Sequence, residues 1–131
     1  MEKNKVTFLK EKMTKKSVYK KSEELALEIM AITKEIRDVK KDYYMADQIF
    51  RSSTSVAANL REAKFSNTDK MYLHKLSISI READETNYWI SVMKFKDYIT
   101  QEVHDQLSNK SREILNELYA LSRFVKNKTN K

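Results

Sequence analysis

The sequence contains no glycine, no proline and no cysteine in 131 residues. Without glycine there is no P-loop, no dinucleotide fingerprint and no kinase glycine-rich loop, because each needs backbone that a Cβ would obstruct. The easy source of positive φ for tight hairpin turns is gone as well. Without cysteine there are no disulfides, no thiolate zinc sites and no cysteine nucleophile. No apolar run approaches the roughly 18 residues of a membrane span, and no apolar signal region opens the chain. The expectation is a soluble cytoplasmic protein with no membrane partner. What remains is 40% hydrophobic and 34% charged residues, enough for a single core beneath a heavily solvated surface.

The net charge is +7, unevenly spread. Residues 1–21 hold eight Lys against Glu2 and Glu11, and residues 123–131 hold Arg123, Lys126, Lys128 and Lys131 with no acid. Residues 22–122 carry 14 basic and 17 acidic side chains, a net of −3. Within that body, residues 51–81 are locally +4: Arg51, Arg61, Lys64, Lys70, Lys75 and Arg81 against Glu62 and Asp69. A basic surface on the folded body is expected there.

Helical periodicity dominates between the tails. Val18, Leu25, Ile32 and Val39 recur every seventh residue with Ile29 and Ile36 between them, predicting a helix over about 17–39. Ile49, Ser53, Val56, Leu60 and Ala63, widened by Phe50 and Ala57, predict a second over about 43–65. Asn67 or Thr68 offers an N-cap for a third over about 68–97, lined by Leu73, Leu76, Ile80, Ala83 and Ile90. Thr100 caps a fourth over about 101–125, carrying Val103, Leu107, Ile114, Leu118, Leu121 and Val125. Short connections imply antiparallel neighbours, so the expected fold is all-α, an up-down antiparallel four-helix bundle over 17–125. A basic, partly disordered lead-in (1–16) and a basic frayed tail (126–131) flank it. Without glycine, the helix C-termini must be closed by other residues.

Three features depart from a plain bundle. Ser52-Ser53-Thr54-Ser55 puts four hydroxyl residues inside a predicted helix, where they are mediocre formers. Either a close helix contact holds this turn, through the small pair Ser53 and Ala57, or the helix breaks, or the hydroxyls cradle a phosphate. Ser79, Thr86 and Asn87 place polar groups on or beside the third stripe, with Glu82 and Glu85 nearby. They suit a buried hydrogen-bond layer that sets register, or a polar face meeting another subunit. A di-metal carboxylate site would need Glu-x-x-His pairs; Met71 precedes His74 and Gln101 precedes His104 at that spacing, so no metal is expected. Tyr88 and Trp89 point about 100° apart on a helix, so one ring can join the core while the other faces outward to anchor an interface.

The run from Gln48 to Ala63 (QIFRSSTSVAANLREA) resembles the signature of four-helix-bundle proteins encoded in 23S ribosomal RNA intervening sequences. That signature has a Gln-Ile-x-Arg start, a small serine-rich turn, then Ala-Asn-(Ile/Leu)-x-Glu. Downstream, residues 73–78 (LHKLSI) and 82–90 (EADETNYWI) resemble the family's third-helix block. The likeness spans about residues 18–125. It departs where the family commonly has glycine, here Ser53 or Ala57 and Ala63, where a proline precedes the second helix, and at Asn87, where Glu is usual. The resemblance implies a ring-like homo-oligomer, expected to be a pentamer. Related accessory proteins of diversity-generating retroelements bind nucleic acid and a reverse transcriptase through a basic surface.

The expected function is therefore a non-enzymatic oligomer with no cofactor, binding structured RNA or an RNA–protein assembly. Arg51, Arg61, Lys64, Lys70, Lys75 and Arg81 are the candidate phosphate contacts. Ser53, Ala57, Tyr88 and Trp89 are the candidate oligomer contacts, left over once each helix has spent one stripe on the bundle. A protein–protein scaffold is the competing class, favoured by the body's net −3. A metal-dependent nuclease would need a third ligand beside Glu82 and Glu85, which the sequence does not declare.

Overall fold

The computed structural model describes residues 17–129. The expected lead-in (1–16) and the last two residues lie outside them. Four helices follow in order: α1, Val18–Glu35, continued by a π-helical turn over Ile36–Lys40; α2, Tyr43–Lys64; α3, Asp69–Phe95; and α4, Gln101–Thr129. Each start is capped by a side-chain oxygen accepting from a first-turn N–H. Ser17 accepts from Lys20 (3.4 Å), Asp42 from Met45 (3.2 Å), Thr68 from Met71 (3.1 Å) and Thr100 from Val103 (3.1 Å). These are the residue types whose short oxygens reach orphan helix amides.

Packing follows chain order, α1 on α2, α2 on α3 and α3 on α4, with the α1–α4 seam the most sparsely packed of the four. The helices are apolar on one face, and those faces converge. Ile29, Ile49, Leu60, Leu76, Ile90, Met93, Leu118, Leu121 and Val125 are fully enclosed, each contributing about 1.5–3 kcal/mol by leaving water. Among the described residues no helix is long and apolar enough to cross a membrane.

Three expectations about the stripes need correction. Val39 is exposed rather than in the seam, because the wider π turn shifts the helical phase after Ile36. Phe50 lies on the outer edge of the α1–α2 groove beside Met30, not in the core. α4 continues four residues past its expected end: Val125 is fully buried, Lys128 pairs with Asp69 (3.2 Å), and both Lys126 and Lys128 suit the helix C-terminal dipole.

The helix ends show how the chain manages without glycine. After α3, Tyr98 N–H donates to the Met93 carbonyl (2.9 Å) and Asp97 N–H to that of Lys94 (3.0 Å), with Asp97 left-handed at φ 59°. That is a Schellman closure with Asp in glycine's place; a short polar side chain tolerates this region. After the π turn Lys41 takes φ 58°, where its Cβ crowds the following carbonyl. Lys41→Gly should therefore stabilise the fold by about 0.5–1 kcal/mol, read as a raised urea midpoint with unchanged slope. An unchanged or lowered midpoint would mean that the turn is not strained.

Candidate nucleic-acid interface

The up-down topology brings the chain's separate basic segments to one end. The starts of α1 and α3 and the ends of α2 and α4 share that end. When each helix is divided at its midpoint, the described residues of this half are 17–28, 54–81 and 115–129, with 10 basic against 6 acidic residues, net +4. The other half has 9 against 11, net −2. In sequence the 51–81 segment and the cations Lys20, Arg123, Lys126 and Lys128 read as separate sources of charge; in the fold those four share one end with Arg61, Lys64, Lys70 and Lys75.

The six candidate phosphate contacts divide by position. Arg61, Lys64 and Lys70 flank the α2–α3 turn at the basic end, and Lys75 lies about one and a half turns further along α3. Lys70 is exposed and has no ion-pair partner among the described residues. Arg61 reaches Glu23 at a long 3.4 Å, while the Lys64 ammonium lies 5.0 Å from the centre of the Tyr19 ring. Lys75 bonds Glu62 (2.6 Å). Arg81 is exposed but roughly 18 Å along α3 from its start, at 1.5 Å per residue.

Arg51 has another task. Its guanidinium straddles Glu82 (3.0 Å) and Glu85 on α3, and Trp89 Nε1 donates to the same Glu85 (3.1 Å). Partial burial would lower the Arg51 pKa, but hydrogen bonds and charge from Glu85 and Glu82 hold it above the ordinary value. The expectation that Arg51 offers a phosphate contact therefore gives way to a cross-helix clamp whose charge is already matched.

The sequence reading places Lys20 and Arg123 within the first and fourth helices but counts their charge with the chain's basic ends and does not name them as candidate contacts. The structure puts both on helical faces at the basic end, exposed and without ion-pair partners among the described residues. The signal that could have found them was the topology itself, since an even number of antiparallel helices returns both termini to the same end. Lys21, counted with the same tail, is taken up by structure: it sits between Glu113 and Glu117 (2.9 Å) across the α1–α4 seam. Burial acts to lower its pKa, yet the two carboxylates prevail and raise it.

The serine-rich run is continuous helix. The Ser52, Ser53 and Thr54 hydroxyls bond back to carbonyls of the preceding turn, at 3.3, 3.2 and 2.7 Å. Ser52 Oγ also accepts from Thr86 on α3 (2.9 Å), and Ser79 donates across to the Val56 carbonyl (3.0 Å). This is a buried hydrogen-bond layer between α2 and α3. Ser53 is buried against Ser22, Thr86 and Ser111, with one of these on each other helix. Expected at a subunit contact, Ser53 instead lets the four helices of one protomer approach. Ala57 lies half-buried in the α1–α2 groove. At the same end, Tyr19 and Tyr72 hydroxyls meet at 2.8 Å, and burial pushes the Tyr19 phenol up to about 12.

The aromatic pair splits its tasks between core and solvent. Trp89 packs partly against the core, while Tyr88 is 61% exposed. Tyr88 and the exposed Tyr44 both stand edge-on to Trp89, at 5.0 and 6.2 Å between ring centres. Among the described residues no three His, Asp or Glu side chains are arranged to hold a metal ion.

The family model of the 23S rRNA-intervening sequence protein matches residues 14–120, which cover all of α1, α2 and α3 and most of α4. The chain belongs to that family. A crystal structure of a protein of unknown function from the S23 ribosomal protein family of Bacteroides thetaiotaomicron is 36% identical to it. The likeness covers 80% of this chain and 97% of that one, with a TM-score of 0.78. Comparison with curated proteins finds no match. In this member of the 23S rRNA-intervening sequence family, the residues that carry the resemblance gather along the α2–α3 seam. Arg51, Glu82, Glu85 and Trp89 form one hydrogen-bonded cluster, Glu62 holds Lys75, and Asn59 bonds the Ser55 carbonyl (2.9 Å). Asn87, where the family usually has Glu, keeps a buried Oδ1 with no hydrogen-bond partner among the described residues.

Proposed function

We propose that this protein is a non-enzymatic, homo-oligomeric helical bundle that binds nucleic acid, structured RNA foremost, through its basic end. One observation carries the reading: among the described residues the fold collects a net +4 at the end where Arg61, Lys64, Lys70 and Arg123 are displayed, against −2 at the other. A phosphate backbone is the polyanion that rewards such a field, through counterion release. Assembly into a ring would repeat the field and add avidity to weak single contacts. The test is fluorescence anisotropy of the full chain with a labelled RNA hairpin across a salt series. Log affinity should fall linearly and steeply with log salt; absence of binding at low salt would end the proposal.

The exposed Tyr44 and Tyr88 on either side of the half-buried Trp89 favour a second contact, with protein. Tyr and Trp concentrate at the centres of interfaces, so we assign the oligomer contact to Tyr88 and Trp89. Tyr88→Ala should lower the molar mass seen by light scattering while leaving the helical circular dichroism unchanged. A mass unaffected by Tyr88→Ala, with a foreign protein partner lost instead, would favour the scaffold reading over self-assembly.

A further inference from the structure

Phe65 is the residue that closes α2, and its ring is 76% exposed. It lines a groove of about 290 Å³ between the start of α1 and the end of α2. The same groove is lined by Lys20, Arg61 and Lys64, with Glu23 its one carboxylate, already shared with Arg61. Single exposed aromatic rings are ordinary on protein surfaces. This one is distinguished by company: a bare ring beside three cations, at the end of the bundle that carries the charge. Among the described residues the other strongly exposed phenylalanine, Phe95 at 88%, closes α3 at the opposite end, where the net charge is −2.

We propose that this groove holds one unpaired nucleotide of an RNA, its base stacked on Phe65 and its phosphate held by Lys20 and Lys64. The inference rests on the nucleic-acid reading above and narrows its substrate to RNA with unstacked bases. Cations alone would accept duplex and single strand alike. A ring offers its face only to a base whose own face is free, which occurs in loops, bulges and ends. Stacking is indifferent to base identity, so the Phe65 ring by itself sets no sequence preference. Arg61 can join the phosphate contacts, because its bond to Glu23 is long and solvent-exposed.

The experiment compares the full-length protein with Phe65→Ala, Phe65→Trp and Phe95→Ala by anisotropy, using labelled oligouridine and a blunt duplex of matched length. Phe65→Ala should weaken oligouridine binding roughly tenfold while leaving duplex binding and the salt slope unchanged, since no cation is lost. Phe65→Trp should retain or tighten oligouridine binding, and Phe95→Ala should match the wild type. Unchanged oligouridine affinity in Phe65→Ala, or an equal loss on both RNAs, overturns the nucleotide subsite while the basic end stands. A change of oligomeric mass in Phe65→Ala overturns it too, because the ring would then belong to a subunit contact. If the wild type binds neither RNA, the nucleic-acid reading fails and the subsite with it.

Discussion

Replacing Lys64, Lys70 and Arg123 together with Gln should weaken RNA binding roughly 50-fold near physiological salt and flatten the log–log salt slope by about 2. The size follows from counterion release: each phosphate contact on a single strand contributes about 0.7 to the slope, and three are removed. The three residues come from the end of α2, the first turn of α3 and the last third of α4. They are close only because the bundle is up-down. All three are exposed, so their loss should leave the fold intact. A matched triple at the other end, Lys40, Lys41 and Lys94 to Gln, removes the same charge where the local field is −2. It should leave the slope nearly unchanged. Equal losses from the two triples would show that binding follows total charge rather than a site.

Lys21→Ala should be among the most destabilising single changes of a charged residue, costing about 2–3 kcal/mol and lowering the melting temperature by on the order of 10 °C. Lys21 is 16% exposed and Glu117 is 11% exposed, and the pair bridges the sparsest seam of the bundle. Removing the ammonium leaves Glu117 enclosed without its counter-charge, which costs more than the pair contributed. Lys21→Ala/Glu117→Gln should recover part of the loss, since a neutral amide is cheaper to bury. The pH dependence has a definite sign. The folded pKa of Lys21 lies above the ordinary 10.5, so its contribution is complete below that value and disappears as pH rises through the folded pKa. Alkaline melting should therefore separate wild type from variant less than melting at neutral pH does. An equal gap at both pH values would place the stabilisation in the lysine stem rather than in its charge.

Much of the architecture is legible in the sequence. Heptad spacing of Leu, Ile and Val, hydroxyl caps at Thr68 and Thr100, and polar connections define four helices before any coordinates, because these are local preferences summed over long segments. The family signature is local as well, lying within three runs of sixteen, six and nine residues. The end of α1 could not be read: a heptad pattern assumes constant phase, and the π turn at Ile36–Lys40 breaks it, turning Val39 outward. Lys41 and Asp97 as left-handed closures were equally hidden, since their conformations are imposed by the chain's reversal and not by their own preference.

The site divides in the same way. The sequence by itself determined which residues are charged, how many there are, and that the body between the tails is slightly acidic. Only the tertiary structure decided which charges are spent and which remain to act. Arg51 stands 31 and 34 residues from the two carboxylates that clamp it, and Lys21 stands 96 from Glu117, separations that no local pattern can register. Lys70 and Arg123, more than fifty residues apart in the chain, share one end because α3 starts where α4 finishes. Coulomb energy depends on distance in space. A residue's charge is a property of its side chain, but its availability to a partner is a property of the fold.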